Sequence, residues 1–257
     1  MITKDKPKHS INTDPEEPTE MGYMIGLFDV LGFSDLCKLG TIKLLAVYQE
    51  LIDKVVAKKD EDFRCFTLMK IGDVKVPALG SLPVRYVYFS DTILLWAPLV
   101  EYLVEPFAAR CSDMIIEGLN LGIPFRGSIT IGGAIMNKQK NIFLGQPLIE
   151  ADRLEKAQNW IGVSFGPSST HPIYQDSLGH NFVIQYYTKH FKSGKEDLIS
   201  QMVLDWPRRM RERYKPEETI AKLNEMKNNT GKKIYYDNAL DFIYYSENNK
   251  DWFKNKS

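Results

Sequence analysis

The chain has 257 residues, 44% of them apolar, which fits one large domain with a sizeable core. Its 33 basic and 33 acidic residues balance, which excludes a global electrostatic field that would recruit nucleic acid or an anionic membrane. Three scattered cysteines, Cys37, Cys65 and Cys111, and the lack of an apolar run of about 18 residues predict reduced, buried thiols in a soluble, cytoplasmic protein.

The first predicted elements follow a polar, proline-bearing arm at 1–21. This arm lacks the apolar centre of a signal peptide and is predicted to be disordered. The apolar run at 23–30 predicts a buried strand, and Gly32 and Ser34 predict a turn after it. Apolar residues then recur at helical spacing over 41–58, which predicts an amphipathic helix.

Beyond this helix, the strand-like segment 63–73 precedes a Gly- and Pro-rich segment at 74–83, which is predicted to be a connection. A hairpin over 84–98 is predicted to turn at Ser90-Asp91-Thr92, and a second helix covers 101–121. The remaining predicted elements are a strand at 125–134, a short strand and a helix over 141–159, and strands within 161–168 and 181–188.

The element order β-α-β-β-α-β within residues 23–133 predicts an α+β fold of the ferredoxin-like split βαβ type. Its central sheet is antiparallel, and both crossover helices must pack on one face of it. The later part of the chain is charged and helical, so we divide the chain into the arm at 1–21, a domain at 22–190 and a helical extension at 191–257. The extension is expected to pack on the domain or on a dimer partner. Its basic cluster at 208–213 is predicted to be a solvated helix face, and the alternative is contact with phosphate groups.

Asp29 stands at the end of the first apolar strand, where burying an unpaired carboxylate is costly. Asp91 lies at the turn of the hairpin that the ferredoxin-like plan places beside this strand. Two neighbouring carboxylates repel unless a cation lies between them, and Mg²⁺ takes such oxygen ligands together with substrate phosphates. The backbone amides of Gly32, Phe33 and Ser34 would then hold a polyphosphate. The alternative is a capped turn next to an ordinary hairpin.

Four segments resemble the motifs of class III nucleotidyl cyclases and occur in the same order. FDVLGFSDL at 28–36 is similar to the first metal motif of that family, and FSDTILLW at 89–96 is similar to the second. FRGSITIGGA at 125–134 resembles the strand that follows, and GQPLIEADRLEKA at 145–157 resembles the helix that carries the transition-state residues. The resemblance spans about residues 22–166 and implies that the central domain is a cyclase catalytic domain.

This resemblance implies that Asp29, the carbonyl of Val30 and Asp91 hold two Mg²⁺ or Mn²⁺ ions per site. The ribose 3′-hydroxyl of a nucleoside triphosphate would attack the α-phosphorus, and pyrophosphate would leave. Arg153 matches the family's transition-state arginine, a donor worth about 3–4 kcal/mol of barrier; the alternative is a surface pair with Glu150. Because the family builds its site from two subunits, a homodimer with composite sites is also implied.

Three positions depart from the purine cyclase pattern. Ile149 occupies the position of the asparagine that orients the ribose in that family. Val87 occupies the position of its purine-reading lysine, and its purine-reading aspartate aligns near Ile142. The chain is therefore either a non-catalytic, nucleotide-binding homologue or a cyclase for another base. It resembles the bacterial pyrimidine cyclases of Pycsar antiphage systems, which implies UTP, or alternatively CTP, as the substrate. The cyclic product would activate a separate effector that this chain does not bind.

Strand alternation supplies three candidates for a base pocket. Arg85 and Phe89 share the face of Asp91, although Phe89 also suits a plain sheet core. Arg126 begins a strip of alternating polar residues, which predicts a solvated cleft. Its role is open between a phosphate or base contact and a structural ion pair, and these residues do not distinguish uracil from cytosine.

Overall fold

The computed structural model describes residues 18–38, 40–57, 66–71, 74–79, 84–170, 182–186, 190–192 and 202–250. The elements of the first half are β1 (Met21–Val30), α1 (Phe33–Cys37), α2 (Thr41–Ile52), β2 (Phe66–Ile71), β3 (Val74–Leu79), β4 (Arg85–Phe89), β5 (Thr92–Pro98) and α3 (Glu101–Asn120). Those of the second half are β6 (Phe125–Asn137), β7 (Ile142–Leu144), α4 (Gln146–Ala157), β8 (Gly162–Phe165), β9 (Val183–Gln185), β10 (Met202–Leu204), α5 (Trp206–Arg213), α6 (Pro216–Asn228) and α7 (Lys233–Asn248).

The main sheet has the strand order β4-β5-β1-β6-β8-β10-β9, and β7 pairs with β6. The first four strands of this order are antiparallel throughout, with β1 between β5 and β6. They reproduce the ferredoxin-like order, so the predicted α+β fold with an antiparallel central sheet is confirmed. The chain then extends this sheet through the parallel pair β6–β8.

Helices α2 and α3 cover one face of the sheet, as the split βαβ plan requires. Alternate residues of β1, among them Met24 and Phe28, enter the main apolar core together with α2 residues Tyr48 and Leu51. The opposite face carries a smaller apolar cluster that includes Ile25 and several residues of β5 and β6. Helix α4 lies on this second face, against β6 and β1.

The C-terminal helices α5 and α6 pack on α3, and α7 packs on both of them. Arg209 of α5 forms two hydrogen bonds to the buried carboxylate of Asp113 on α3, at 2.6 and 2.8 Å. Arg211 donates to Ser246 of α7 at 3.0 Å. The expectation of a solvated basic face is therefore wrong for these two arginines, which join α5 to its neighbours.

Three further expectations differ from the structure. Residues 74–79 form a strand paired with β2, and β10 adds a strand to the main sheet within the segment expected to be helical. Cys37 is exposed, whereas Cys111 is buried as expected. Cys65 and the arm at 1–17 lie outside the described residues. None of the helices that the structure describes combines the length and apolar character of a membrane span.

Candidate functional site

Asp29 is held at the end of β1 between two neighbouring strands. In the strand registers it lies opposite Thr92 of β5 and opposite Arg126 of β6. Its neighbours Phe28 and Val30 are buried in the main core, so alternation turns Asp29 to the face on which α4 lies. The Asp29 side chain is 21% exposed. It therefore lies at the margin of this sheet face and is not fully covered by α4.

Asp91 lies in the two-residue turn between β4 and β5, as predicted. Its backbone carbonyl accepts a hydrogen bond from the amide of Val30 at 2.9 Å, which ties the turn to the end of β1. Ser90 has a φ of 56° in the left-handed region, and its carbonyl accepts a hydrogen bond from the Tyr48 hydroxyl at 3.4 Å. The turn is therefore fixed from two sides, by β1 and by α2.

Asp29 and Asp91 also influence the ionisation of neighbouring groups at this corner. Burial raises the pKa of Asp29, Arg126 lowers it, and the charge of Asp91 raises it again. Burial also raises the pKa of the Tyr48 hydroxyl, and the charges of Asp91 and Asp29 contribute to that rise. Burial is the largest cause of both pKa rises, and negative charge at the ends of β1 and the hairpin adds to it.

This donor set fits a hard divalent cation. Carboxylate oxygens are the ligands that Mg²⁺ and Mn²⁺ prefer, and a cation would relieve the repulsion between Asp29 and Asp91. Within the described ranges, no group of three or more His, Cys, Asp or Glu side chains is placed to hold a metal ion. The two carboxylates would therefore need further oxygen ligands, such as substrate phosphates, to complete a coordination sphere.

Arg126 joins Asp29 to helix α4. Its guanidinium donates to Oδ2 of Asp29 at 3.0 Å and to the backbone carbonyl of Gln158 at 3.0 Å, and its Nε forms an ion pair with Glu155. Burial raises the pKa of Glu155 to about 7; Arg126 opposes this rise and the Asp29 charge adds to it. The ring of Tyr235, on α7, lies 5.9 Å from the guanidinium, so the C-terminal extension reaches this group as well.

The polar strip on β6 is buried beneath α4, so the predicted solvated cleft is wrong. Ser128 donates to the carbonyl of Ala151 at 2.8 Å, and Thr130 donates to that of Pro147 at 2.9 Å. Arg126 itself is 9% exposed. The structure shows the ion-pair alternative for Arg126, while its assignment to a base pocket stays a prediction.

The turn after β1 has the backbone that the sequence predicts. Gly32 adopts a φ of 77°, which favours glycine, and precedes the five-residue helix α1. The carbonyl of Gly32 accepts hydrogen bonds from the amides of Asp35 and Leu36. No side chain caps α1 within the described residues, so the capped-turn alternative is not formed. The first amides of a helix lack partners within it, which leaves those of Phe33 and Ser34 suited to an anion.

Arg153 lies on the outer side of α4 and does not meet Asp29 in its own chain. It is exposed, whereas the α4 residues Ala151, Leu154 and Glu155 are buried towards the sheet. The alternative pairing of Arg153 with Glu150 is not formed, because the Glu150 carboxylate accepts hydrogen bonds from the amide and hydroxyl of Ser168, at 3.0 and 2.9 Å.

Arg85 and Phe89 lie along β4, at the edge of the sheet. Phe89 is 54% exposed, so the plain sheet-core alternative is wrong for this ring within the single chain. Burial lowers the pKa of Arg85, which is half-buried opposite Trp96. Of the candidate residues, the structure thus brings together Asp29, Asp91, Val30 and Arg126, and it places Arg153 elsewhere.

Two buried residues of this site, Glu155 and Gln158, were not predicted from the sequence. Gln158 is fully buried: it donates to the carbonyls of Gly127 and Leu154 and accepts from Trp160 and Ser164. A signal existed for Glu155, because it lies four residues after the buried Ala151 and therefore on the same helix face. A carboxylate on an apolar helix face predicts a buried cationic partner, and in this structure that partner is Arg126.

The sequence matches no family model, and a comparison with curated proteins finds no match. Among solved structures, the catalytic core of a rhodopsin-guanylyl cyclase with converted specificity, in complex with ATPαS, is similar with a TM-score of 0.43 and 13% identity, over 69% of this chain and 93% of that one. Two structures of a bacterial light-regulated adenylyl cyclase have TM-scores of 0.41 and 0.45 at 12% identity. The matched regions cover 73% and 82% of this chain, and 51% and 57% of the length of the two cyclase chains. These similarities are too distant to bear on the chemistry of this chain.

Proposed function

We propose that the protein is a nucleotidyl cyclase that converts a pyrimidine nucleoside triphosphate, UTP or alternatively CTP, into its 3′,5′-cyclic monophosphate and pyrophosphate. One observation supports this proposal: Asp29 and Asp91 lie at adjoining ends of β1 and the β4–β5 hairpin, where Asp29 is opposite Thr92 and the Val30 amide donates to the Asp91 carbonyl at 2.9 Å. The sequence resemblance to class III cyclases supports the same assignment, because these two residues are the ones that match its metal motifs.

In this proposal, Asp29 and Asp91, with the Val30 carbonyl, would hold Mg²⁺ or Mn²⁺. The bound ions would supply Lewis-acid activation of the 3′-hydroxyl and charge neutralisation at the triphosphate. The amides at the start of α1, from Gly32 to Ser34, would hold phosphate oxygens. Arg153 would neutralise charge on the α-phosphate in the transition state, from the second subunit of a homodimer.

The pyrimidine preference rests on the residues that replace the purine readers. Val87 is partly buried against the apolar cluster of the second sheet face and offers no hydrogen bond to a base. The exposed ring of Phe89 and the guanidinium of Arg85 remain as candidates for contact with a smaller ring. The resemblance to Pycsar cyclases further supports a role as a second-messenger synthase in antiphage defence.

The proposal is tested by incubating the purified chain with each of the four nucleoside triphosphates and Mg²⁺ or Mn²⁺, and by identifying cyclic products by mass spectrometry. We expect a cyclic pyrimidine product, and we expect Asp91→Asn to lower its rate by at least about a hundredfold, since several kcal/mol of charge stabilisation is lost. Asp241→Asn, which removes an exposed carboxylate on α7, is the matched control and should retain full activity.

The possible results separate the competing functions. No product from any triphosphate, with a cooperative thermal unfolding transition that proves a folded chain, would indicate a nucleotide-binding module and contradict the enzyme. Turnover of ATP or GTP would keep the cyclase and remove the pyrimidine preference. Unchanged turnover by Asp91→Asn would remove the two-carboxylate metal site.

A further inference from the structure

Arg126 is shared between two carboxylates. Its three nitrogens face Asp29 Oδ2, the carbonyl of Gln158 and the carboxylate of Glu155. An arginine does not lose its proton in a protein, so one positive charge serves both acids. The side chains of Arg126, Glu155 and Asp29 are 10%, 3% and 21% exposed, respectively.

The two acids do not compete equally for this charge. The ion pair with Glu155 lies inside the protein, where screening is weak, while Asp29 lies nearer to solvent at the margin of the sheet face. Glu155 is also held in place, because α4 is fixed to β6 by the Ser128 and Thr130 hydrogen bonds. The geometry therefore gives Glu155 the larger share of the Arg126 charge.

We infer that Glu155 is a positioning residue that shares Arg126 with Asp29 and takes the larger part of its charge, so that Asp29 keeps enough negative charge to bind a divalent cation. Without Glu155, the guanidinium would pair with Asp29 alone and would compete with the cation for its oxygens. Without Arg126, Asp29 would lose this competitor. The inference rests on the proposed function in one respect, because it takes Asp29 as a cation ligand.

The test measures Mn²⁺ binding rather than turnover. The full chain is titrated with Mn²⁺ in the absence of nucleotide at pH 8.5, and free Mn²⁺ is followed by its electron paramagnetic resonance signal. We expect Glu155→Gln to weaken binding about tenfold and Arg126→Gln to strengthen it about tenfold. The double variant removes both charges and should bind within about threefold of the unsubstituted chain.

Asp152→Asn is the matched control for charge, since it removes one carboxylate from the solvent-facing side of α4. It should change Mn²⁺ affinity by less than about twofold, because screening is strong at the surface. Thermal unfolding of each variant shows whether it is folded. Arg126→Gln leaves the buried Glu155 without its partner; if this variant does not fold, Glu155→Gln and the double variant still provide the comparison.

The outcomes separate this inference from the proposed function. Weakened binding in both single variants would show that the pair is only a scaffold and would overturn the inference. Equal affinities in all variants would overturn it too, while leaving the metal site intact. Absence of Mn²⁺ binding by the unsubstituted chain without nucleotide would overturn this inference, whereas the turnover assay with nucleoside triphosphates still decides the proposed function.

Discussion

Glu155 is a carboxylate that the fold removes almost completely from water. It is 2% exposed, and burial raises the pKa of its carboxyl group to about 7. Its ion pair with Arg126 offsets part of the cost of removing the charge from water. A buried acid of this kind makes the stability of the protein depend on pH, because the folded and unfolded chains bind protons differently.

We predict that Glu155→Gln removes a pH dependence of stability between about pH 4.5 and 7. In this interval the folded chain is protonated at Glu155, whereas the unfolded chain, with the ordinary pKa of 4.5, is not. The free energy of unfolding of the unsubstituted protein therefore falls as the pH rises, by a contribution on the order of 2 kcal/mol, and levels off above pH 7.

Urea unfolding of both proteins at several pH values, with EDTA present, measures this difference. The stability of Glu155→Gln relative to the unsubstituted protein should rise from pH 5 to pH 7 and then stay constant. A difference that does not change with pH would show that the carboxyl group of Glu155 titrates at its ordinary pKa in the folded protein.

Helix α4 depends on a small residue in the strand beneath it. Pro147, at the start of α4, lies directly over Gly132 of β6: a Cβ atom added to Gly132 would lie 2.7 Å from the proline ring. Gly145, just before α4, has a φ of 150° that few other residues adopt. The glycine-ended strand and the GQP sequence thus let the helix approach the sheet closely enough for Ser128 and Thr130 to reach its carbonyls.

We predict that Gly132→Ala destabilises the protein by about 1–3 kcal/mol, because the rigid ring of the buried Pro147 cannot make room for the added methyl group. The adjacent Gly133→Ala is the matched control. Its Cβ would meet the Glu20 carboxylate at 2.4 Å, but Glu20 is an exposed, flexible side chain that can turn away. Thermal or urea unfolding of the two variants gives the comparison, and equal losses in both would mean that α4 does not rest on Gly132.

The elements of the central sheet were predictable because their signals are local. The 3.6-residue period of α2, the hairpin at Ser90-Asp91 and the glycine turn at Gly32 each follow from a few neighbouring residues. Strand β3 was not predicted, because the proline and glycine of the segment 74–83 are typical of a connection. In the structure, β2 and β3 form a separate two-stranded sheet. Both of its strands are edge strands, where Pro77 is tolerated.

The site was predictable in part, for a reason at the scale of the whole molecule. Asp29 and Asp91 follow from strand order, because the ferredoxin-like plan makes their two elements neighbours. The partners of Arg126 do not, because Glu155 and Tyr235 reach it from α4 and α7, whose positions on the sheet are set by packing. The buried ion pair of Arg209 could not be predicted from the sequence either, because its acidic partner, Asp113, lies on α3, 96 residues earlier in the chain.

The position of Arg153 makes the proposed homodimer with composite sites testable. Arg153 is exposed on the outer side of α4, and the proposed function assigns it to a substrate that Asp29 and Asp91 of another copy of the chain would hold. We predict that Asp29→Asn and Arg153→Ala are each inactive as homodimers. A heterodimer of the two, isolated by two different affinity tags, should recover about half of the normal activity, since one of its two composite sites is intact.

A heterodimer of Asp29→Asn with Asp91→Asn is the control and should stay inactive, because both of its sites lack a metal carboxylate. An inactive first heterodimer, with the dimer itself verified by its mass in solution, would mean that the catalytic residues do not combine across subunits.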